Sequence, residues 1–176
     1  MATSDEKKTI LLGHTYTPTQ YIWAFLRLGM GWLFLWAFVD KLFGLGFAIP
    51  SEQAWIAGGS PTTGFLLFAT RGPLVPVFQR LAGNFLVDLV FMLSLLLLGL
   101  TLILGIGVRI AGYGGALLVF LMYLAALPPE HNPILDDHIL YLVILLGLTR
   151  TKAGHWLGFG DWWANTNLVQ KFPILE

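Results

Sequence analysis

The sequence predicts an all-α integral membrane protein, a four-helix bundle forming one domain, and three observations point there. Of 176 residues, 56% are hydrophobic and only 11% charged, where an ordinary soluble domain carries roughly a quarter charged residues. So few charges do not cover a water-facing surface. Four apolar stretches also approach the roughly 20 residues that a helix needs to cross the hydrocarbon of a bilayer. None of them alternates as a barrel strand does, and a helix satisfies its own backbone in lipid.

The spans are expected at about 21–43, 85–105, 110–127 and 134–149, with an interfacial tail over 150–176. The core of the second reads LVFMLSLLLLGLTLIL, and the third follows after a link so short that the two must form an antiparallel hairpin. The fourth is short unless Ile134 to Asp137 extends it. Between the first two spans lies a long connection, 44–84, that is itself apolar and rich in Gly and Pro. Ser51 is placed to cap a short helix over SEQAWI, and Ser60-Pro61 has cap and first-turn residues before GFLLFA. Short interfacial or re-entrant helices covering one mouth of the bundle follow, as a lid that either packs or closes a pocket.

Ten Lys and Arg balance ten Asp and Glu, so no basic excess exists to neutralise nucleic-acid phosphates. Cysteine is absent, which removes disulfides, thiolate metal sites and cysteine nucleophiles. The apolar run Ile10 to Gly13 is too short for a signal-peptide core, so the first span is expected to direct insertion. Lys7, Lys8, Arg109, Arg150, Lys152 and Lys171 outnumber Lys41, Arg71 and Arg80 on the opposite side, and PPEHNPILDDH has neither Lys nor Arg. The positive-inside rule then puts both termini in the cytoplasm of a multi-pass protein. Trp156, Trp162 and Trp163 beside basic residues suit the headgroup level of the inner face. No phosphate loop, nucleophile elbow or dinucleotide fingerprint is present.

Ionisable groups in or beside spans need a partner or a purpose. This topology puts Asp40, Lys41, Asp88, Asp136, Asp137 and His138 near the outer end, and Arg27 in the inner half. Two readings of the outer cluster stand side by side. In one, Lys41 pairs with Asp40 or Asp88, and Asp136 caps the fourth helix. In the other, the carboxylates and His138 line a polar pocket for the head of an amphipathic molecule and exchange protons with it. His131, Asp136, Asp137 and His138 carry metal-donor atoms, but their spacing matches no metal motif. His14, His131 and His155 lie in tails or loops, so no histidine pair suits a haem, and neither haem nor metal is expected. Arg27 either snorkels to headgroups or pairs with a ligand or partner subunit. Gly29 and Gly31, and Gly112 with Ala116 or Ala111 with Gly115, permit close helix packing or self-association.

Three segments carry a family resemblance. LRLGMGWLFLWAFVDKLFG resembles the opening helix of DoxX-like membrane proteins, NPILDDHILYLVILLGL resembles their fourth helix, and GDWWANTNLVQKFP is similar to the tail of archaeal and actinobacterial members. The resemblance implies a four-helix protein of a prokaryotic cytoplasmic membrane, related to the small membrane subunit of a thiosulfate:quinone oxidoreductase. It matches Arg27, Lys41, Asp137 and His138 as polar positions. The expected function is a redox-system subunit that binds quinone beneath the outer loop. Asp40, Asp88, Asp137 and His138 would handle protons, and Arg27 and Lys41 would hold the quinone, with Lys41 steadying charge on the quinol oxygen. The rival from another class is a scaffold that anchors a partner respiratory or thiol-redox complex. A small transporter is disfavoured because broken, repeated helices are missing.

Overall fold

The computed structural model describes residues 9–11, 14–129, 132 and 134–176, and the chain is mostly helical. A short antiparallel ribbon, β1 (Thr9–Leu11) with β2 (His14–Tyr16), precedes the helices. α1 spans Pro18–Phe43, α2 Val75–Gln79, α3 Phe85–Leu104, α4 Val108–Ala125 and α5 Asp137–Thr151, followed by the short α6 (Gly160–Ala164) and α7 (Asn167–Lys171). Three of these, α1, α3 and α4, are long and apolar enough to cross a membrane. Their outward positions carry Phe25, Trp32, Leu86, Val90, Leu97 and Leu117, all exposed. Apolar side chains on both the inside and the outside of a helix identify lipid as the solvent, so the protein is membrane-embedded.

Local chemistry sets the helix ends. Thr17 accepts from the Gln20 N–H while the Gln20 side chain accepts from the Thr17 N–H, a reciprocal cap with Pro18 in the first turn. Because Pro18 lacks the N–H that a first turn leaves unpaired, α1 starts three residues before the apolar run. Its other end closes on Gly44, whose φ of 65° is left-handed and whose N–H bonds the Asp40 carbonyl at 2.7 Å. A Cβ there would come within 2.6 Å of Ser51 Cα, so only glycine fits. Asn84 caps α3 by accepting from Leu86 and Val87, and Asp136 caps α5 by accepting from Ile139.

The expected boundaries shift accordingly. Ile134 and Leu135 are exposed and lie outside α5, so they do not extend the fourth helix. Its 15 residues rise about 22 Å, less than the roughly 30 Å of a hydrocarbon core. In the connection, Pro50 rather than Ser51 precedes a 3-10 turn over Ser51–Gln53, and a second such turn covers Trp55–Ala57. GFLLFA forms a π-helical turn over Phe65–Ala69 that Ser60 does not cap.

The four longest helices contact one another in a ring: α1 on α3, α3 on α4, α4 on α5 and α5 on α1. Small residues set how close they come. On Gly31 an added Cβ would lie 2.9 Å from the Ile103 backbone nitrogen, and on Gly99 it would lie 2.8 Å from that of Leu35. Rising numbers on α1 thus meet falling numbers on α3, so the two are antiparallel. Gly112 faces Thr149 and Leu145, and Gly115 faces Leu145 and Leu98, which makes α4 and α5 antiparallel too. Gly29 has nothing within 4 Å, so of the glycines expected to allow close approach in α1, Gly31 alone does so. The core between the helices holds Met30, Phe34, Met92, Leu102, Val119 and Leu145.

This arrangement puts the starts of α3 and α5 with the end of α1, and the tail with the α3–α4 turn. Gly112 gives the sharpest test of the packing, because a Cβ there would sit 1.8 Å from Thr149 Oγ1 and 2.8 Å from the Leu145 carbonyl oxygen. Gly112→Ala should cost about 1–3 kcal/mol through overpacking, read as a lower melting temperature in detergent. Adding Thr149→Ala removes the nearer atom and should recover part of the loss; no recovery would contradict the contact.

Candidate functional site

Two cavities flank the ring, one at each end. The first, of about 510 Å³, lies beneath the 44–84 connection. Its walls are Leu86, Val87, Val90 and Phe91 of α3 and Leu118, Leu121, Met122 and Ala125 of α4, and the connection supplies Pro61, Thr62, Phe65, Leu66, Phe78 and Leu81. Lys41, from the last turn of α1, is the one charged residue among the described residues of the lining. Among the described residues it makes no hydrogen bond or ion pair. Lys41 thus brings a cationic donor to the lining of a nearly all-apolar chamber, where it is able to donate to an acceptor on a ligand.

The connection is held over this cavity by the two acidic residues of the expected outer cluster. Asp40 is buried, and its carboxylate accepts from the Phe47 N–H at 3.2 Å and the Ala48 N–H at 2.8 Å. Asp88 is buried as well, and its Oδ1 accepts from Ser60 Oγ (3.0 Å), Thr62 N–H (3.2 Å) and Thr62 Oγ1 (2.6 Å). No ion pair of Lys41 with Asp40 or Asp88 forms: backbone amides take both oxygens of Asp40, and an amide and two hydroxyls converge on Oδ1 of Asp88. Such donors come from fixed positions and lose little entropy on binding, whereas a lysine must order a long stem. Arg71 fastens the far side of the lid to α4, its N–H donating to the Ala125 carbonyl at 2.9 Å, while Thr70 Oγ1 closes a local bond within the lid to the Leu66 carbonyl at 2.9 Å.

At the start of α5, Asp136 both caps the helix and accepts from His138 Nδ1 at 2.7 Å. Asp137 is exposed and His138 half-buried. The antiparallel helices therefore bring Asp40, Lys41, Asp88, Asp137 and His138 to one end of the molecule, but no hydrogen bond or ion pair joins them into a cluster. Lys41 alone of these lines the cavity, while Asp88 reaches it at one remove through Thr62. His131 of the metal-donor group lies outside the described residues, as does the side chain of His14. Among the described residues no three His, Asp or Glu side chains converge as a metal would require.

Arg27 sits at the other end and is fully buried, with 0% exposure. Its Nε donates to the Ala153 carbonyl at 3.1 Å, and Nη1 to those of Leu102 and Ile103, the latter at 2.9 Å. Nη2 donates to Trp156 (3.0 Å) and Leu157 (2.8 Å). All five N–H groups of the guanidinium are thereby spent on backbone. Arg27 neither reaches headgroups nor shares a cavity with Lys41, and it has no donor left for a ligand. The tail, expected to be interfacial, is consequently a packed element. Ala153, Gly154, Gly160 and Val169 are buried, Phe159 N–H bonds the Leu104 carbonyl at 2.8 Å, and Trp163 Nε1 bonds that of Leu175 at 2.6 Å. Trp162 remains 63% exposed, as an interfacial residue would be.

The second cavity, of about 420 Å³, opens where α4 begins and α5 ends, with Arg109, Arg150, Lys152, His155 and Glu176 in its lining. Glu176 accepts from Lys152 Nζ at 2.8 Å and from His155 Nε2 at 2.9 Å. The hydrogen bond from Lys152 holds the Glu176 carboxyl below the ordinary carboxylate range, and that from His155 adds to it. Sequence reading missed this cavity because its members are spread from 105 to 176. The available signal was the concentration of Lys and Arg on one side of the expected topology.

The lid's dependence on Asp88 is directly testable. Asp88→Ala leaves the buried Thr62 N–H and hydroxyl unpaired, a loss of about 2 kcal/mol, and amide exchange over 60–66 should accelerate while α4 stays protected. Unchanged exchange there would contradict the tether. No family model, curated protein or solved structure matches the chain, so these comparisons lend no support to the expected resemblance to DoxX-like proteins.

Proposed function

We propose that the chain is a four-span protein of a prokaryotic cytoplasmic membrane, with both termini inside, that binds a lipophilic molecule under its outer lid. The single observation carrying this reading is the apolar cavity of about 510 Å³ with Lys41 as the one charged residue among the described residues that line it. A quinone suits that chemistry: its ring and tail match the Leu, Val and Phe walls, and a carbonyl oxygen accepts from the Lys41 ammonium. As charge develops on that oxygen during reduction, the ammonium stabilises it more strongly in an apolar surrounding than in water. The protein then serves as the membrane subunit of a redox system, with electrons supplied by a partner.

The proton-handling roles fall unequally on the expected residues. Asp88 is coupled to the cavity through Thr62, and Asp40 is the chain neighbour of Lys41, so these two are the nearest carboxylates in connectivity. Asp137 and His138 would act from the start of α5, at the rim. The fourth span, α5, is shorter than a bilayer core and would cross with its ends drawn inward, as short spans do when the bilayer thins around them.

One observation favours a scaffold as the second reading. Trp162, Leu168 and Phe172 are exposed together on the tail, an apolar edge that a partner protein would cover. Lipid-extract mass spectrometry of gently solubilised protein separates the two. A redox subunit should retain quinone near one per chain, lose it when Leu118→Trp fills the cavity, and hold it several-fold less firmly in Lys41→Met. Reproducible absence of quinone from the wild-type protein overturns this reading. Loss of a co-purifying partner in Trp162→Ala, with Leu118→Trp behaving as wild type, is the scaffold's signature.

A further inference from the structure

The cavity at the opposite end takes no part in the reading above, and its chemistry is different. Arg109, Arg150 and Lys152 bring three cationic side chains to its lining, and the one acidic side chain among the described lining residues is that of Glu176. That carboxylate is already shared between Lys152 and a histidine. Arg150 is exposed and its guanidinium makes no hydrogen bond to any described residue, and among the described residues the Arg109 guanidinium makes only a long bond of 3.4 Å to the Pro173 carbonyl. Two guanidinium groups therefore face a chamber of about 420 Å³ with nearly all their donors uncommitted.

Neighbouring side chains fix the depth of this chamber. Tyr113 and Trp163 share the lining, and such rings with a polar handle collect where hydrocarbon meets headgroups. Ile110, one residue beyond Arg109, is exposed on a helix long and apolar enough to span. A cation, an exposed aliphatic group and an amphipathic ring thus lie together in the first turns of α4, with Trp163 of the tail beside them. Basic pockets between membrane helices at this level take phospholipid headgroups, and an arginine fork matches two oxygens of a phosphate.

We infer that this cavity binds the phosphate of an anionic phospholipid headgroup, with Arg109 and Arg150 as its principal ligands and Lys152 released from Glu176 to join them. Glu176 acts as an internal competitor, occupying part of the cationic site when no phosphate is there. The site is independent of the proposed quinone cavity, since no residue lines both.

The test uses the full chain in nanodiscs of phosphatidylcholine doped with phosphatidylglycerol, extracted into mild detergent, with retained phosphatidylglycerol counted by mass spectrometry. The wild-type protein should retain it selectively. Arg109→Gln with Arg150→Gln should lower retention about tenfold, and Arg80→Gln, in the connection, should leave it unchanged. Glu176→Gln should raise retention, an opposite sign that general loss of folding cannot produce. Competition identifies the source of the phosphate group: displacement only by phosphatidylglycerol assigns a lipid, and equal displacement by millimolar inorganic phosphate assigns a soluble phosphate to the same arginines. Equal retention by wild type and the double arginine variant, with both melting alike, overturns the inference.

Discussion

Five backbone carbonyls from two separate stretches of chain converge on the Arg27 guanidinium, and the end of the protein that holds the tail depends on that convergence. Leu102 and Ile103 lie in the last turn of α3, where carbonyls have no helical partner of their own and carry the negative end of the helix dipole. Ala153, Trp156 and Leu157 belong to the chain just past α5. Without a cation between them, these oxygens would face one another in a space closed to water. Leu157 also has a φ of 52°, a conformation unfavourable for a leucine, and the bond from Arg27 Nη2 to its carbonyl helps to keep it there. A buried charge without a carboxylate is ordinarily costly, and here full use of the five donors offsets that cost.

The other end is built on the reverse logic, with buried carboxylates answered by backbone and hydroxyl donors. Asp40 gathers the strand of chain just after α1, and Asp88 gathers the turn at Ser60 to Thr62, so a long apolar connection is tied down at its start and near its middle. Each acid serves one local segment, and that leaves Lys41 unclaimed beside an apolar cavity. An all-apolar lid would have closed over the mouth in many ways. Polar tethers at fixed positions choose one, and with it the shape of the chamber beneath.

Much of this was readable in the residues, for identifiable reasons. Length and hydropathy mark α1, α3 and α4 because lipid demands long uninterrupted apolar runs, and the Asp136 cap was legible as a carboxylate just before such a run. Placement of Asp40, Lys41, Asp88 and His138 at one end followed from alternating direction alone. Their partners did not. Sequence separation hides the fact that Thr62 lies 26 positions from Asp88, and that Arg27 finds oxygens 75 to 130 positions away. Charge complementarity suggested ion pairs, whereas the structure answers buried charges with main-chain dipoles, which have no letter in a sequence. The start of α5 was misplaced for a related reason: Ile134 and Leu135 are apolar enough to join the helix, yet the Asp136 cap excludes them.

The clasp at Arg27 is tested most directly by amide hydrogen exchange on Arg27→Lys in detergent. Lysine keeps the charge but has three donors on one nitrogen in place of a planar fork of five. At least two of the carbonyls then lose their partner, a loss of about 2–4 kcal/mol. The account predicts that residues 153–164 and the α3–α4 turn lose protection together while the lid over 44–84 keeps its own. Protection of the tail equal to that of the wild-type protein would contradict it.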